Sequence, residues 1–350
     1  MRARGRALTG HSPALVLSSH HAPDASAEAP RLDFVELAAA MGASVSYPPR
    51  DPGPLARVER RSGLAFAQAL AARRGGADAA LYLSLNEGLG LALASFDRGR
   101  VPHVMVAHNL LRPRMRLYEA LSRSLRRIDR VVVLSRSHGD FLITHAGLAP
   151  ERVAFLHDKV DDSFWAPPRV EPGDGIVLSV GRERRDYATL FEAVRPLAVA
   201  TDVVAGSLWA SADREPERVP GNVRLLSGLS FAALRERYEA AAVVVVPLLG
   251  GERYAAGVNA VMEAMAMGRA LVVTDTPGIA DYVSDGQTGR LVPAGDAAAL
   301  RDVLSELLGD AAERRRLGAN ARAVIEEGRN LRGYVSALAQ LSGEVRAERG

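Results

Sequence analysis

Strand-like and helix-like runs alternate along this chain, halt once at a proline-rich segment, and then resume. Before the break, short apolar runs at 14–18, 44–47, 79–84, 101–107, 130–134 and 153–156 read as buried strands. Between them, residues 27–41, 55–73, 88–95, 115–127 and 138–146 carry apolar side chains at helical spacing. Such alternation with short connections demands a parallel sheet. Each parallel pair needs a crossover, and the crossover helix covers a face of the sheet. Residues 161–175, DDSFWAPPRVEPGDG, hold three prolines and end in GDG, which is linker chemistry. After it, strands at 176–180, 202–205, 223–226, 243–246 and 271–274 alternate with helices at 187–197, 231–240 and from 257 onward. Helices at 297–308, 311–327 and 331–341 close the chain. The expected class is α/β, with two doubly wound Rossmann-like domains facing across a cleft. Their expected bounds are 1–165 and 166–330, with 331–350 a final helix placed to pack back on the first domain. Ligands of such sheets bind beyond the carboxyl ends of the strands.

Composition narrows the chemistry. Hydrophobic residues make up 48% of the chain and charged ones 24%, a globular balance rather than a disordered one. With no cysteine there is neither a disulfide framework nor a thiolate metal site, and the cytoplasm is the expected compartment. No apolar run nears the ~20 residues of a membrane span. The run at 14–17 is too short for a signal-peptide core. Of 44 basic residues one is a lysine, Lys159, so a pyridoxal phosphate enzyme would have a single candidate Schiff-base amine. Residues 1–170 carry 23 basic and 16 acidic side chains, whereas residues 171–350 carry 21 and 25. The excess is densest at 112–130, with seven arginines in 19 positions, and turns one half toward something anionic.

The most specific stretch is 257–293, GVNAVMEAMAMGRALVVTDTPGIADYVSDGQTGRLVP. Gly257, Val258 and Asn259 open a helix whose first turn leaves backbone N–H groups and a positive dipole end free for an anion. Glu263 follows in an otherwise small and apolar helix, with Asn259 four residues earlier on the same face. A carboxylate there suits sugar hydroxyls rather than phosphate. Gly268 ends the helix, and Gly278 starts a further helical turn. Phosphate beside polyol describes a nucleotide sugar.

Four segments, in order, resemble the GT-B-fold glycosyltransferases of the retaining family-4 kind (glycosyl transferases group 1), over roughly residues 12–330. They are VVVLSRSHGDFLITHAGLAPERVAFLHDKVDDSFWAP, LSVGRERRDYATLFEAV, NVRLLSGLSFAALRERYEAAAVVVVPL and EAMAMGRALVVTDTPGIADYVSDGQTGRLVPAGDAAAL. The resemblance implies that Arg182 grips the donor diphosphate, with Arg185 the nearest candidate for a second cation. Glu263 matches the second glutamate of the family's E-x7-E motif, which bonds the nucleotide ribose. Where the first glutamate belongs stands Ala255. Glu252, in the loop after strand 243–246, is either its substitute or a surface partner of Arg253. Ser227, Gly228 and Leu229 fall where backbone contacts select the base. His108, at the carboxyl end of strand 101–107, matches a histidine that contacts the donor sugar or acceptor; the alternative is that His103 and His108 are both ordinary loop histidines. His20 and His21 replace a glycine-rich loop of the family.

The implied reaction moves a sugar from a nucleotide-diphosphate sugar to an acceptor hydroxyl with retention. The implied catalytic residues are His108, Arg182 and Glu252. Neither a metal nor a cofactor is expected, since no D-x-D triplet and no metal-ligand spacing occurs. The acceptor is open: a glycan, a lipid or a small molecule. A nucleotide-sugar 2-epimerase and a non-catalytic nucleotide-sugar binder remain as alternatives. A phosphorylase of this fold is excluded, because its cofactor lysine belongs in the second domain and no lysine follows Lys159. Helix 115–127 carries a stripe of Leu117, Ala120, Leu121, Ser124, Leu125 and Ile128 among arginines. It reads either as a packed helix with a wet basic face or as a peripheral contact with anionic lipid at the inner face of the membrane. With Tyr118 the only aromatic in 112–130, a nucleic-acid role is not expected.

Overall fold

The computed structural model describes residues 14–18, 28–49, 53–75, 78–168, 175–205 and 219–349. Its strands form two six-stranded sheets. The first holds β1 (Leu15–Leu17), β2 (Ser44–Ser46), β3 (Tyr82–Ser84), β4 (His103–Ala107), β5 (Arg130–Val133) and β6 (Val153–Phe155), ordered β2-β1-β3-β4-β5-β6. The second holds β7 (Ile176–Val180), β8 (Thr201–Val204), β9 (Val223–Leu226), β10 (Ala241–Val246), β11 (Ala270–Thr274) and β12 (Arg290–Val292), ordered β12-β11-β10-β7-β8-β9. Every pairing is parallel. AAVVVV of β10 and ALVVT of β11 are buried at every position, as central strands covered on both faces must be. The architecture is the two-domain α/β arrangement read from the alternation.

Three local features depart from the expected string. The run 55–73 is two helices, Ala56–Ser62 and Phe66–Gly75, because Gly63 closes the first at φ 75. The expected helix 115–127 is Pro113–Ser122 followed by a 3-10 turn Ser124–Arg127, with Arg123 left-handed between them at φ 51. The Glu119 carboxylate stabilises that break, accepting from the Ser124 hydroxyl and the Leu125 N–H at 2.9 Å each. The change of path splits the apolar stripe: Leu125 and Ile128 enter the core, while Leu117 and Leu121 are 63% and 78% exposed. Strand β12 was not among the expected strands. At three residues, with only Val292 fully buried, it carries too little pattern to stand out.

The helix Leu331–Arg349 leaves the second domain and packs on the first-domain helix Asp33–Met41. Leu331 N–H donates to Val160 O at 2.8 Å, and Glu348 and Arg349 pair with Arg130 (3.0 Å) and Asp129 (3.2 Å). A second joint lies beside the cleft. The Tyr282 hydroxyl donates to Leu134 O at 2.7 Å and accepts from Asp158 N–H at 3.0 Å, while Arg136 pairs with Asp281 at 2.8 Å.

Candidate active site

A cavity of about 500 Å³ lies where the carboxyl ends of the two sheets face each other. In the second sheet it opens where the strand order reverses, between β7 and β10, the usual ligand position in open α/β sheets. The loops leaving these strands are stitched together: Asp186 N–H donates to Pro247 O and Leu249 N–H to Arg184 O, both at 3.0 Å. Arg185 braces them from inside. Its guanidinium donates to Val180 O at 3.0 and 2.8 Å and to Glu183 O at 3.0 Å. Gly181 (φ 108) and Gly257 (φ 80) make room for it. A Cβ would come within 2.4 Å of its Nη2 at the first and 3.0 Å of its Nη1 at the second. Burial lowers the pKa of Arg185. Of the carboxylates around it, Glu183 pairs with Arg112 at 3.0 Å and Glu252 with Arg184. A desolvated cation whose hydrogen bonds go to carbonyls favours an anion beside it.

Arg182 lines the same cavity and makes no hydrogen bond or ion pair among the described residues. The helix Val258–Ala266 begins at Gly257 with no side-chain cap, and Gly257, Val258, Asn259 and Ala260 line the cavity. Val258 N–H donates to Ala255 O at 3.3 Å, which leaves the Asn259 and Ala260 N–H groups of the first turn to a ligand. Glu263 lines the cavity one turn further on, oriented by the Tyr238 hydroxyl, which donates to Glu263 Oε2 at 2.8 Å. Burial pushes the Glu263 carboxyl up to about 7, against the lowering effects of the Tyr238 hydrogen bond and the Arg185 charge. Leu229 lines the cavity with Ser230, Phe231 and Leu234, whereas Ser227 and Gly228 are exposed outside it.

On the first sheet, His108 follows β4 and lines the cavity, with Glu87 Oε2 3.7 Å from its Nδ1. His103 sits inside the sheet, sharing a 2.8 Å hydrogen bond with the Ser84 hydroxyl. Burial pushes its pKa down to about 3, so it is neutral and structural. Glu252 stands outside the lining. Its carboxylate pairs with Arg184 rather than Arg253, and its carbonyl accepts from Gly278 N–H at 2.9 Å. Gly278 begins no helix; it lies in a run of turns, where a Cβ would fall 1.9 Å from Tyr254 O. Ala255 is buried in the cavity wall. His20 and His21 lie outside the described residues.

Two family models match end to end: Glycosyltransferase Family 4 over residues 4–164 and Glycosyl transferases group 1 over residues 174–310. The α-maltose-1-phosphate synthase of Mycolicibacterium smegmatis is 30% identical over 278 residues, 67% of this chain and 70% of that protein. The chain belongs to the group 1, family-4 glycosyltransferases. A phosphatidyl-myo-inositol mannosyltransferase of Mycobacterium leprae is 32% identical over 157 residues, and there the chain spans 41% of its relative's length. The fold is that of sucrose-phosphate synthase from Thermosynechococcus elongatus (TM-score 0.73, 21% identity, 97% and 100% coverage). It is also that of Anabaena HepE solved with UDP-glucose (TM-score 0.72, 16% identity, 95% and 100% coverage). Both are GT-B structures, and the described chain has their two facing α/β domains.

In this glycosyltransferase the cleft also gathers residues with no motif to announce them. Lys159 Nζ lies 3.1 Å from Asp33 Oδ2 and 3.2 Å from Asp158 Oδ1, and all three line the cavity. Burial alone would lower the Lys159 pKa, but the two carboxylates raise it well above the usual value, so the amine stays a cation and is no nucleophile. Arg112 reaches across from the first domain to Glu183, which also accepts from Tyr254 OH at 3.3 Å. In the sequence it was one of seven arginines in a run that reads as surface.

Proposed function

We propose that this glycosyltransferase transfers a sugar from a nucleotide-diphosphate sugar to an acceptor hydroxyl with retention, using no metal. One observation carries the reading: Arg182, Arg185, an uncapped helix start and a tyrosine-oriented Glu263 converge on one cavity at the sheet's reversal point. The cations and first-turn amides suit a diphosphate, and the carboxylate suits a ribose diol. Arg182 is assigned the leaving diphosphate, where negative charge builds in the transition state. Retention is assigned to attack from the face that the diphosphate leaves. Leu229 and its neighbours form the base end. A thermal-shift panel of UDP, GDP, ADP and TDP, each with and without EDTA, tests the proposal. One base should raise Tm clearly above the others, equally in EDTA. No shift with any of them, or a shift that needs magnesium, would defeat it.

The acceptor side supports a lipid-surface reading. Leu117 and Leu121 lie one helical turn apart and exposed, flanked by exposed Arg114, Arg116 and Arg123, on the helix whose preceding residue Arg112 lines the cleft. Among the described residues no helix is long and apolar enough to cross a membrane. The proposal is peripheral docking of this helix on anionic lipid, with leucines in the headgroup boundary and arginines on phosphates. The protein should float with phosphatidylglycerol vesicles at low salt and detach at high salt. Leu117→Asp with Leu121→Asp should abolish flotation. Absence of binding at low salt removes the idea.

A further inference from the structure

After β4 the chain leaves the sheet, and four consecutive amides must find partners away from it. Each is met by a side chain. Glu87 Oε2 accepts from His108 N–H at 3.1 Å and Glu87 Oε1 from Asn109 N–H at 3.2 Å. His138 Nε2 accepts from Leu110 N–H at 3.4 Å, and Asn109 Oδ1 from Leu111 N–H at 3.1 Å. Glu87 is the anchor. It is 3% exposed and stands in the first turn of the helix Glu87–Asp97, where the dipole favours an anion. Burial alone would raise its pKa, yet the interactions with His108 and the backbone amides hold it to about 2.

The same Oε2 lies 3.7 Å from Nδ1 of His108, a nitrogen that is buried and has no hydrogen-bond partner among the described residues. A carboxylate only accepts, so its negative charge favours hydrogen on the ring nitrogen that faces it, even at a distance too long for a hydrogen bond. The other charged and titratable groups near this ring do not compete. His138 already spends Nε2 as an acceptor and is kept neutral by burial, and Asp33 is held by Lys159.

We propose that Glu87 is a positioning residue of the transfer site: it fixes His108 as the Nδ1–H tautomer, so that Nε2 offers a lone pair to a sugar hydroxyl in the cleft. This rests on the reading of His108 as a substrate-contacting residue. Glu87 thereby sets the backbone path and the hydrogen-bonding sense of one side chain together. A glutamine in its place reverses the sense at Nδ1 and keeps one of the two amide bonds. Its carbonyl oxygen, in the Oε1 place, still accepts from Asn109 N–H, while its NH₂, in the Oε2 place, gives up the His108 N–H bond, faces Nδ1 and drives the ring hydrogen to Nε2.

The primary test needs no donor. Long-range ¹H–¹⁵N spectra of the ¹⁵N-histidine-labelled full chain at pH 8 should show His108 as Nδ1–H in the wild type and in Glu87→Asp, and as Nε2–H in Glu87→Gln. An Nε2–H ring in the wild type overturns the inference outright. With UDP-glucose or GDP-mannose as probe, nucleoside-diphosphate release by Glu87→Gln should fall roughly 10²-fold in kcat with KM nearly unchanged, and Glu87→Asp should recover part of it. A Glu87→Gln enzyme with the wild-type tautomer and rate sinks this inference alone. A His108→Ala enzyme with full kcat sinks the role of His108 but leaves the tautomer result standing.

Discussion

Arg182→Ala is expected to lower kcat by roughly 10²–10³-fold, the range seen when one preorganised donor to a developing anion is removed. The size follows from where the guanidinium sits. It lines the cavity directly after β7, and among the described residues it makes no hydrogen bond or ion pair. Among the described residues its hydrogen-bonding capacity is therefore unspent. Since charge on the diphosphate grows as the sugar bond breaks, the contact strengthens toward the transition state, and donor Kd should weaken less than kcat. With no hydrogen bond or ion pair among the described residues, the side chain should leave Tm nearly unchanged when removed. Arg185→Ala makes the internal control. That guanidinium ties Val180 O to Glu183 O within its own loop and packs against Gly257 of the next, so its loss should lower Tm as well as donor binding. Nucleoside-diphosphate release and melting curves on both variants separate the roles. If Arg182→Ala loses donor affinity alone with kcat intact, the leaving-group assignment is wrong.

The parallel sheets were legible because their evidence is local and repeated. Runs such as AAVVVV are buried on both faces, and only crossover helices can cover them. The gathering of Arg182, Gly257, Asn259 and Glu263 at one cavity was legible for the same reason: the last three belong to one helix, and Arg182 follows one strand. What escaped depends on contacts between distant segments. Tyr238 reaches Glu263 from another helix, Glu87 lies 21 residues before His108, and Lys159 is held by Asp33 from the far end of the first domain. No spacing encodes such pairs. The path at 115–127 failed differently. Leu121 and Leu125 keep helical spacing, and the break falls on Arg123, a residue whose left-handed backbone has no signal in its identity. Glu252 had cations on offer in Arg184 and Arg253, and chain path rather than sequence proximity chose Arg184.

Glu263→Ala should weaken donor binding by about 10- to 150-fold, the equivalent of ~1.5–3 kcal/mol for hydrogen bonds to a charged acceptor. The alanine also strands the buried Tyr238 hydroxyl, whose partner is Glu263 Oε2, so some loss of stability will accompany it. Glu263→Gln avoids that confusion, because the amide oxygen can still accept from Tyr238 while the charge is gone. The pH dependence then isolates the charge. Burial raises the Glu263 carboxyl to about 7, above the value of an unfolded glutamate, so the folded protein keeps this proton through mildly acidic pH. The linked stability is fully present below the unfolded pKa and is lost as pH rises toward 7. Donor binding has the opposite sense, because ribose hydroxyls are best met by the ionised form. Affinity for a nucleotide sugar, whose diphosphate does not titrate in this range, should rise about tenfold from pH 6 to pH 8. Calorimetry in buffers of different ionisation enthalpy should detect a proton released on binding near pH 6.5. Both effects should vanish in Glu263→Gln. A wild-type affinity that is flat from pH 6 to pH 8, with no proton released, would place the ribose elsewhere in the cleft and leave Glu263 as a partner of Tyr238 alone.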